Sequence, residues 1–148
     1  MINFGGHWAH AHDNEQIMFM THAPECLAQM ALPSGERWLH EWAAYWIDHR
    51  INNGNGCTDL ALQEHLDSHE KVEVFRTFLA EYRRWLKKMP ETELLDIGGY
   101  PMSLERVVWF ADLIEATIDG NTALRDPLGR ERIVPIRPNT SLERTREG

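Results

Sequence analysis

No run of apolar residues approaches the roughly 18 needed to cross a bilayer, and the opening MINFGGHWAHAHDNE has neither the basic start nor the apolar centre of a secretory leader. Membrane insertion is therefore not expected, and a cytoplasmic protein is. Cysteine is scarce: Cys26 and Cys57 are the two in 148 residues, and without an export signal they are expected as reduced thiols. A chain of this length buries an adequate core without disulfides or a structural metal. Catalytic signatures are missing too. There is no Gly-x-Ser-x-Gly elbow, neither cysteine sits in a familiar reactive context, and Gly98-Gly99 lacks the helix and lysine of a phosphate-cradling loop. Catalysis is not the favoured expectation, and no cofactor is called for. Positive charge is also short, with 15 Lys and Arg against 23 Asp and Glu. Residues 1–120 hold 9 basic and 19 acidic side chains, and the last 28 residues carry a net +2. An acidic body repels phosphate backbones, so nucleic acid is an unlikely partner and a basic protein a better one.

Amphipathic periodicity is plentiful. Between Ser68 and Met89, Val72, Phe75, Leu79, Tyr82, Leu86 and Met89 recur at steps of three and four, with Val74, Phe78 and Trp85 beside them. Ser68 suits the N-cap, Lys87 and Lys88 suit the C-terminal end, and Pro90 ends the run. Leu79, Tyr82 and Leu86 are expected in the core. A second helix is predicted from Glu36 to about Arg50, and a third from the Ser103 cap to Gly120 with Leu104, Val107, Ala111, Ile114 and Ile118 inward. Shorter helices are expected from Pro24 to about Ala31 and from Thr58 or Asp59 to about Leu66, while Gln16–Thr21 fits either a strand or a helical turn. Asn52–Gly56 reads as a loop. Residues 1–16, rich in Gly, His and Asn, read as irregular. Beyond Asn121, three prolines, two glycines and six arginines predict an extended or flexible basic tail, with Ile133–Ile136 docking as an extended segment. The expected architecture is mainly α: an antiparallel bundle of about four to five helices over residues 1–120, followed by the tail at 121–148.

Two constellations stand out. His7, His10 and His12 are spaced H-x2-H-x-H, and His65 and His69 are one helical turn apart. Imidazoles bind zinc, nickel or copper when three converge, so these five are the candidate metal ligands, although their spacing matches no structural zinc motif and Leu66 stands where a zinc peptidase needs Glu. His22 and Cys26 share the same spacing, but Pro24 is expected to leave His22 outside the helix. Six tryptophans exceed the needs of a small bundle, and Trp is enriched at interface hot spots. Trp38, Trp42, Trp46 and Trp109 are accordingly the candidate partner-binding residues. The competing expectation is that Trp38, Trp42 and Trp46 fill the core. Paired carboxylates such as Asp112 with Glu115 lie on polar faces, where charge normally means solvation.

The stretch VFRTFLAEYRRWLKKMPETELLDIGGYPMSLERVVWFADLIEATIDG resembles, in layout, small acidic bacterial immunity proteins that neutralise toxins. The likeness extends over about a third of the chain and carries no binding residue across. The ending PNTSLERTREG is similar to read-through peptides translated from the recombination sites of integron gene cassettes. That resemblance implies a cassette-borne bacterial product and says nothing about activity. The leading expectation is a non-enzymatic binding module of the inhibitor or immunity kind acting on a protein partner. The alternatives are a His-rich metal-binding or metal-dependent bundle and a self-associating protein that buries its wide apolar stripes against a second copy.

Overall fold

A computed structural model describes residues 2–30, 36–52, 59–90 and 102–136. Among the described residues five helices dominate: α1 Asp13–Gln29, α2 Arg37–Asn52, α3 Leu62–His65, α4 His69–Lys88 and α5 Leu104–Asp119. Three short strands accompany them: β1 Ile2–Phe4, β2 His7–Ala9 and β3 Ile133–Pro135. The fold is thus mainly helical, as the periodicity predicts. Among the described residues no helix is long and apolar enough to cross a membrane.

The three long predicted helices form where their stripes and caps place them. Ser68 Oγ accepts the Lys71 amide at α4, Ser103 Oγ accepts the Arg106 amide at α5, and Gly120 closes α5 in the left-handed region at φ +66. Phe75, Phe78, Leu79, Tyr82 and Leu86 all point inward from α4. They meet Phe19 of α1, Trp42 and Trp46 of α2 and Phe110 of α5 in one aromatic-rich core. The charged face of α4 is tied to α5. Arg83 donates to Asp112 at 2.8 Å and to Glu115 at 2.7 Å, while Arg76 pairs with Glu115 and Asp119. The carboxylates that read as solvated are therefore ion-pair partners between helices.

The N-terminus departs from the irregular segment expected. Gly5 and Gly6 adopt φ +55 and +82 and join β1 to β2 as a two-residue hairpin, pairing Ile2 with Ala9 and Phe4 with His7. Both central positions need a left-handed backbone, which glycine supplies without a Cβ clash. β3 adds to the other edge of β2, giving the antiparallel order β1-β2-β3 with Ala9 opposite Ile133. The segment predicted to dock as extended chain is thus a strand. Ile2, Ala9 and Ile133 are fully buried, and β1 and β2 both contact α5.

Pro24 is the second correction. It lies inside α1 rather than at its start, so Gln16–Thr21 is helical and His22 and Cys26 share one helix. An interior proline removes one backbone hydrogen bond and costs about 3 kcal/mol. Burial of Met18, Phe19, Met20, Ala23, Cys26 and Leu27 by the same helix offsets it. The helix predicted from Thr58 or Asp59 is also shorter than expected: Asp59 accepts the Ala61 amide in a local turn, and Ala61, at φ +60, is itself the N-cap of α3, which has no side-chain cap. Thr58, Cys57, the loop after Asn52 and the ending Pro138–Gly148 lie outside the described residues.

Candidate functional site

The hairpin, the start of α1, α5 and residues 121–133 converge on one buried guanidinium. Arg132, next to β3, donates through Nε to Asp126 at 2.9 Å and through Nη1 to Glu15 at 3.2 Å and to the His10 carbonyl at 2.9 Å. Its side chain is 4 % exposed, and those of Glu15 and Asp126 are 0 %. The guanidinium lies 5.1 Å from the ring centre of Trp109, in cation–π range. Each carboxylate has further partners. Glu15 accepts the His12 amide at 2.9 Å, which caps the start of α1, and the Arg106 Nε at 3.5 Å. Asp126 accepts the Leu128 and Arg130 amides at 2.9 and 2.8 Å and the Arg130 Nε at 2.8 Å.

Local sequence explains the turn that presents Asp126. Asp126-Pro127-Leu128-Gly129 places a fixed-φ residue second and a glycine at φ +80 fourth, and the Gly129 amide donates to the Asp126 carbonyl at 2.8 Å. The backbones of Arg125 and Glu131 form an isolated antiparallel bridge across this turn, and the Arg125 carbonyl accepts the Trp109 indole N–H at 3.1 Å. Burial alone would raise the Asp126 carboxyl. The Arg130 amide, the guanidiniums of Arg132 and Arg130 and the Leu128 amide outweigh it and hold Asp126 well below the usual carboxylate range. His12 is pushed below its ordinary value by burial, with Arg132, His10 and Arg106 acting in the same direction against Glu15.

A depressed carboxylate contributes stability that is complete above its unfolded pKa and is lost as pH falls towards the folded one. The Asp126 contribution should therefore decline below about pH 4. Urea unfolding of the wild type and of Asp126→Asn at about pH 5 and about pH 3 checks this. The expected result is a smaller acid-induced loss in the variant, and equal losses would remove Asp126 from the acid limb.

Two adjoining cavities flank the turn. The larger, about 580 Å³, has an apolar lining from Leu104, Val108, Trp109 and Pro127, and its charged groups are Lys87, Glu105, Asp112, Arg125 and Asp126. The smaller, about 250 Å³, is lined by Arg106, Arg130 and Arg132 with Asp126, Pro127 and Leu128. Asp126 and Pro127 belong to both. Compared with protein-family models, curated proteins and solved structures, the chain matches none. Its function must be read from this geometry alone.

The candidate metal ligands are dispersed. His10 and His12 meet edge to face at 5.2 Å, and His7 sits on β2 with its ring against Gly120. His65 closes α3, stacks on Trp42 and engages the Ala61 carbonyl through Nδ1 at 2.9 Å, whereas His69 opens α4 on the exposed surface. Ser68 separates the two helices, so the pair shares no helical face. Among the described residues no group of three or more His, Cys, Asp or Glu is placed to hold a metal ion. In α1, burial pushes His22 below its ordinary value against the nearby Glu25, and pushes the Cys26 thiol up to about 12.

The four candidate partner-binding tryptophans divide. Trp42 and Trp46 are wholly inside the core, and half-buried Trp38 stacks on Trp42 beneath Lys71. Trp109, off the α5 stripe, lines the larger cavity. The sequence offered two signals for the rest of the site: the Asp-Pro-x-Gly turn and the apolar Ile133–Val134 that anchors Arg132.

Proposed function

We propose that this protein is a non-catalytic binding module whose ligand enters the cleft between α5 and the 122–130 segment. The carrying observation is the cavity of about 580 Å³ with Leu104, Val108, Trp109 and Pro127 as its apolar lining. Volumes of roughly 300 to 1,000 Å³ with an apolar lining and a few placed polar groups are those of small-molecule sites. Of the acidic groups that line it, Asp112 is paired with Arg83 and Asp126 with Arg130 and Arg132, which supports a binding role for the cleft. An inhibitor-like role remains compatible with this reading, but its contact surface moves from the tryptophan stripe of α2 to the cleft around Trp109. Trp42 and Trp46 are spent on the core and half-buried Trp38 stacks on Trp42, which weakens the motive for pairing two copies through the stripe.

A neutral apolar probe tests this reading without engaging the arginines. N-phenylnaphthylamine is expected to bind one to one, with fluorescence enhancement. Leu104→Glu or Val108→Glu, each on the half-buried side of α5, should weaken it by at least about tenfold while the melting temperature stays near that of the wild type. Absence of binding, or binding indifferent to both substitutions, would overturn the proposal.

A further inference from the structure

The smaller cavity specifies the ligand's polar end, given the cleft reading above. Three guanidiniums, Arg106, Arg130 and Arg132, face two carboxylates, Glu15 and Asp126. One positive charge is left unmatched in a place where two of the partners are fully buried. The surplus lies at the accessible end of the network. Arg132 is consumed by Asp126, Glu15 and the His10 carbonyl, whereas Arg106 and Arg130 donate through Nε alone among the described residues. Their side chains are 40 % and 55 % exposed, leaving Nη groups beside the 250 Å³ cavity. A planar guanidinium offers parallel N–H donors matched to the two oxygens of a carboxylate.

The larger cavity supplies the complement. Apart from Asp126, which Arg130 and Arg132 engage, its charged lining is balanced, with Lys87 and Arg125 against Glu105 and Asp112, so its selectivity rests on Leu104, Val108, Trp109 and Pro127. Because Asp126 and Pro127 line both spaces, a molecule lying across the turn can place its apolar body in one and its polar end in the other. The geometry points to a small monocarboxylate with an aromatic or compact aliphatic body as the ligand, its carboxylate held by Arg106 and Arg130 and its body against Trp109 and Val108. A single surplus charge suits a monoanion better than a phosphate dianion.

Calorimetric titration with phenylbutyrate, phenylbutanol and phenylbutyl phosphate tests this assignment. Phenylbutyrate should bind one to one and at least about tenfold more tightly than the alcohol. Arg106→Gln and Arg130→Gln, made separately because Arg130 also supports Asp126, should each shrink that gap to less than about threefold. Affinity for the alcohol should not change. Equal binding of acid and alcohol by the wild type would overturn the carboxylate assignment and leave the cleft reading standing, whereas binding of neither would overturn both. Tighter binding of the phosphate ester, or of a peptide ending in phenylalanine, would replace the small monocarboxylate with that class. Light scattering that showed a dimer broken by Val108→Glu would mean that a second copy fills the cleft.

Discussion

Arg132→Met should destabilise the protein by about 3 to 5 kcal/mol, the range found when one member of a buried, hydrogen-bonded ion network is removed. The loss does not come from the vanished attraction alone. Glu15 and Asp126 would be left as carboxylates with fully buried side chains, keeping their amide donors and the half-exposed Arg106 and Arg130 but deprived of the one buried guanidinium that joins them. Arg132→Lys should recover only part of the loss, because an ammonium cannot span Asp126, Glu15 and the His10 carbonyl as a planar fork does. Combining Arg132→Met with Glu15→Gln and Asp126→Asn should restore much of the stability by removing the buried charges that lose the Arg132 guanidinium. Urea unfolding of the four proteins gives the comparison. A loss below about 1 kcal/mol for Arg132→Met would place the side chain with surface ion pairs, which contribute little.

The long helices were legible because burial imposes a period of 3.6 on them and their ends carry side-chain caps. For α4, the Ser68 cap, the lysines of the last turn and the proline beyond locate the helix as His69–Lys88 without knowledge of what it packs against. The hairpin was harder to read because each strand has three residues, too few for alternation to register. Its signal was Gly5-Gly6 between Ile-Asn-Phe and His-Trp-Ala, the two-residue spacing a tight hairpin requires. Pro24 misled for a physical reason. A local penalty of about 3 kcal/mol is visible in sequence, and the burial that offsets it depends on neighbours that are not.

The cleft was only partly legible. Trp109 stood out because it falls off the α5 stripe, and the structure gives it an aromatic role in a cavity wall. Arg132 and Asp126 did not, since a stretch rich in arginine, glycine and proline has the composition of exposed chain. What internalises them is the pairing of β3 with β2, a contact between residues more than a hundred positions apart. Glu15 is similar: it falls in residues 1–16, which read as irregular, where an acidic side chain is expected to face water. Instead it caps α1 and receives Arg132 from across the fold. Charge pattern identifies residue types, and long-range pairing decides which of them are buried.

Trp42→Ala is expected to match the Arg132 variant, at about 3 to 5 kcal/mol. The indole is fully buried between three helices, with Trp46 and Phe75 each 4.8 Å away and His65 stacked on it at 5.0 Å. Its Nε1 also donates to the Leu60 carbonyl at 2.8 Å, tying α2 to the chain entering α3. Trp42→Phe should therefore cost less than the alanine change but still leave that carbonyl short of a donor, a penalty of about 1 to 3 kcal/mol. Trp46 supplies the control. It is equally buried, but its Nε1 has no hydrogen-bond partner among the described residues, so Trp46→Phe trades lost volume against relief of an unpaired donor. The expected order of destabilisation is Trp42→Ala, then Trp42→Phe, then Trp46→Phe, measured as unfolding midpoints in urea at constant slope. If Trp46→Phe proved costlier than Trp42→Phe, the Leu60 hydrogen bond would not be what distinguishes the two indoles, and packing volume alone would govern this part of the core.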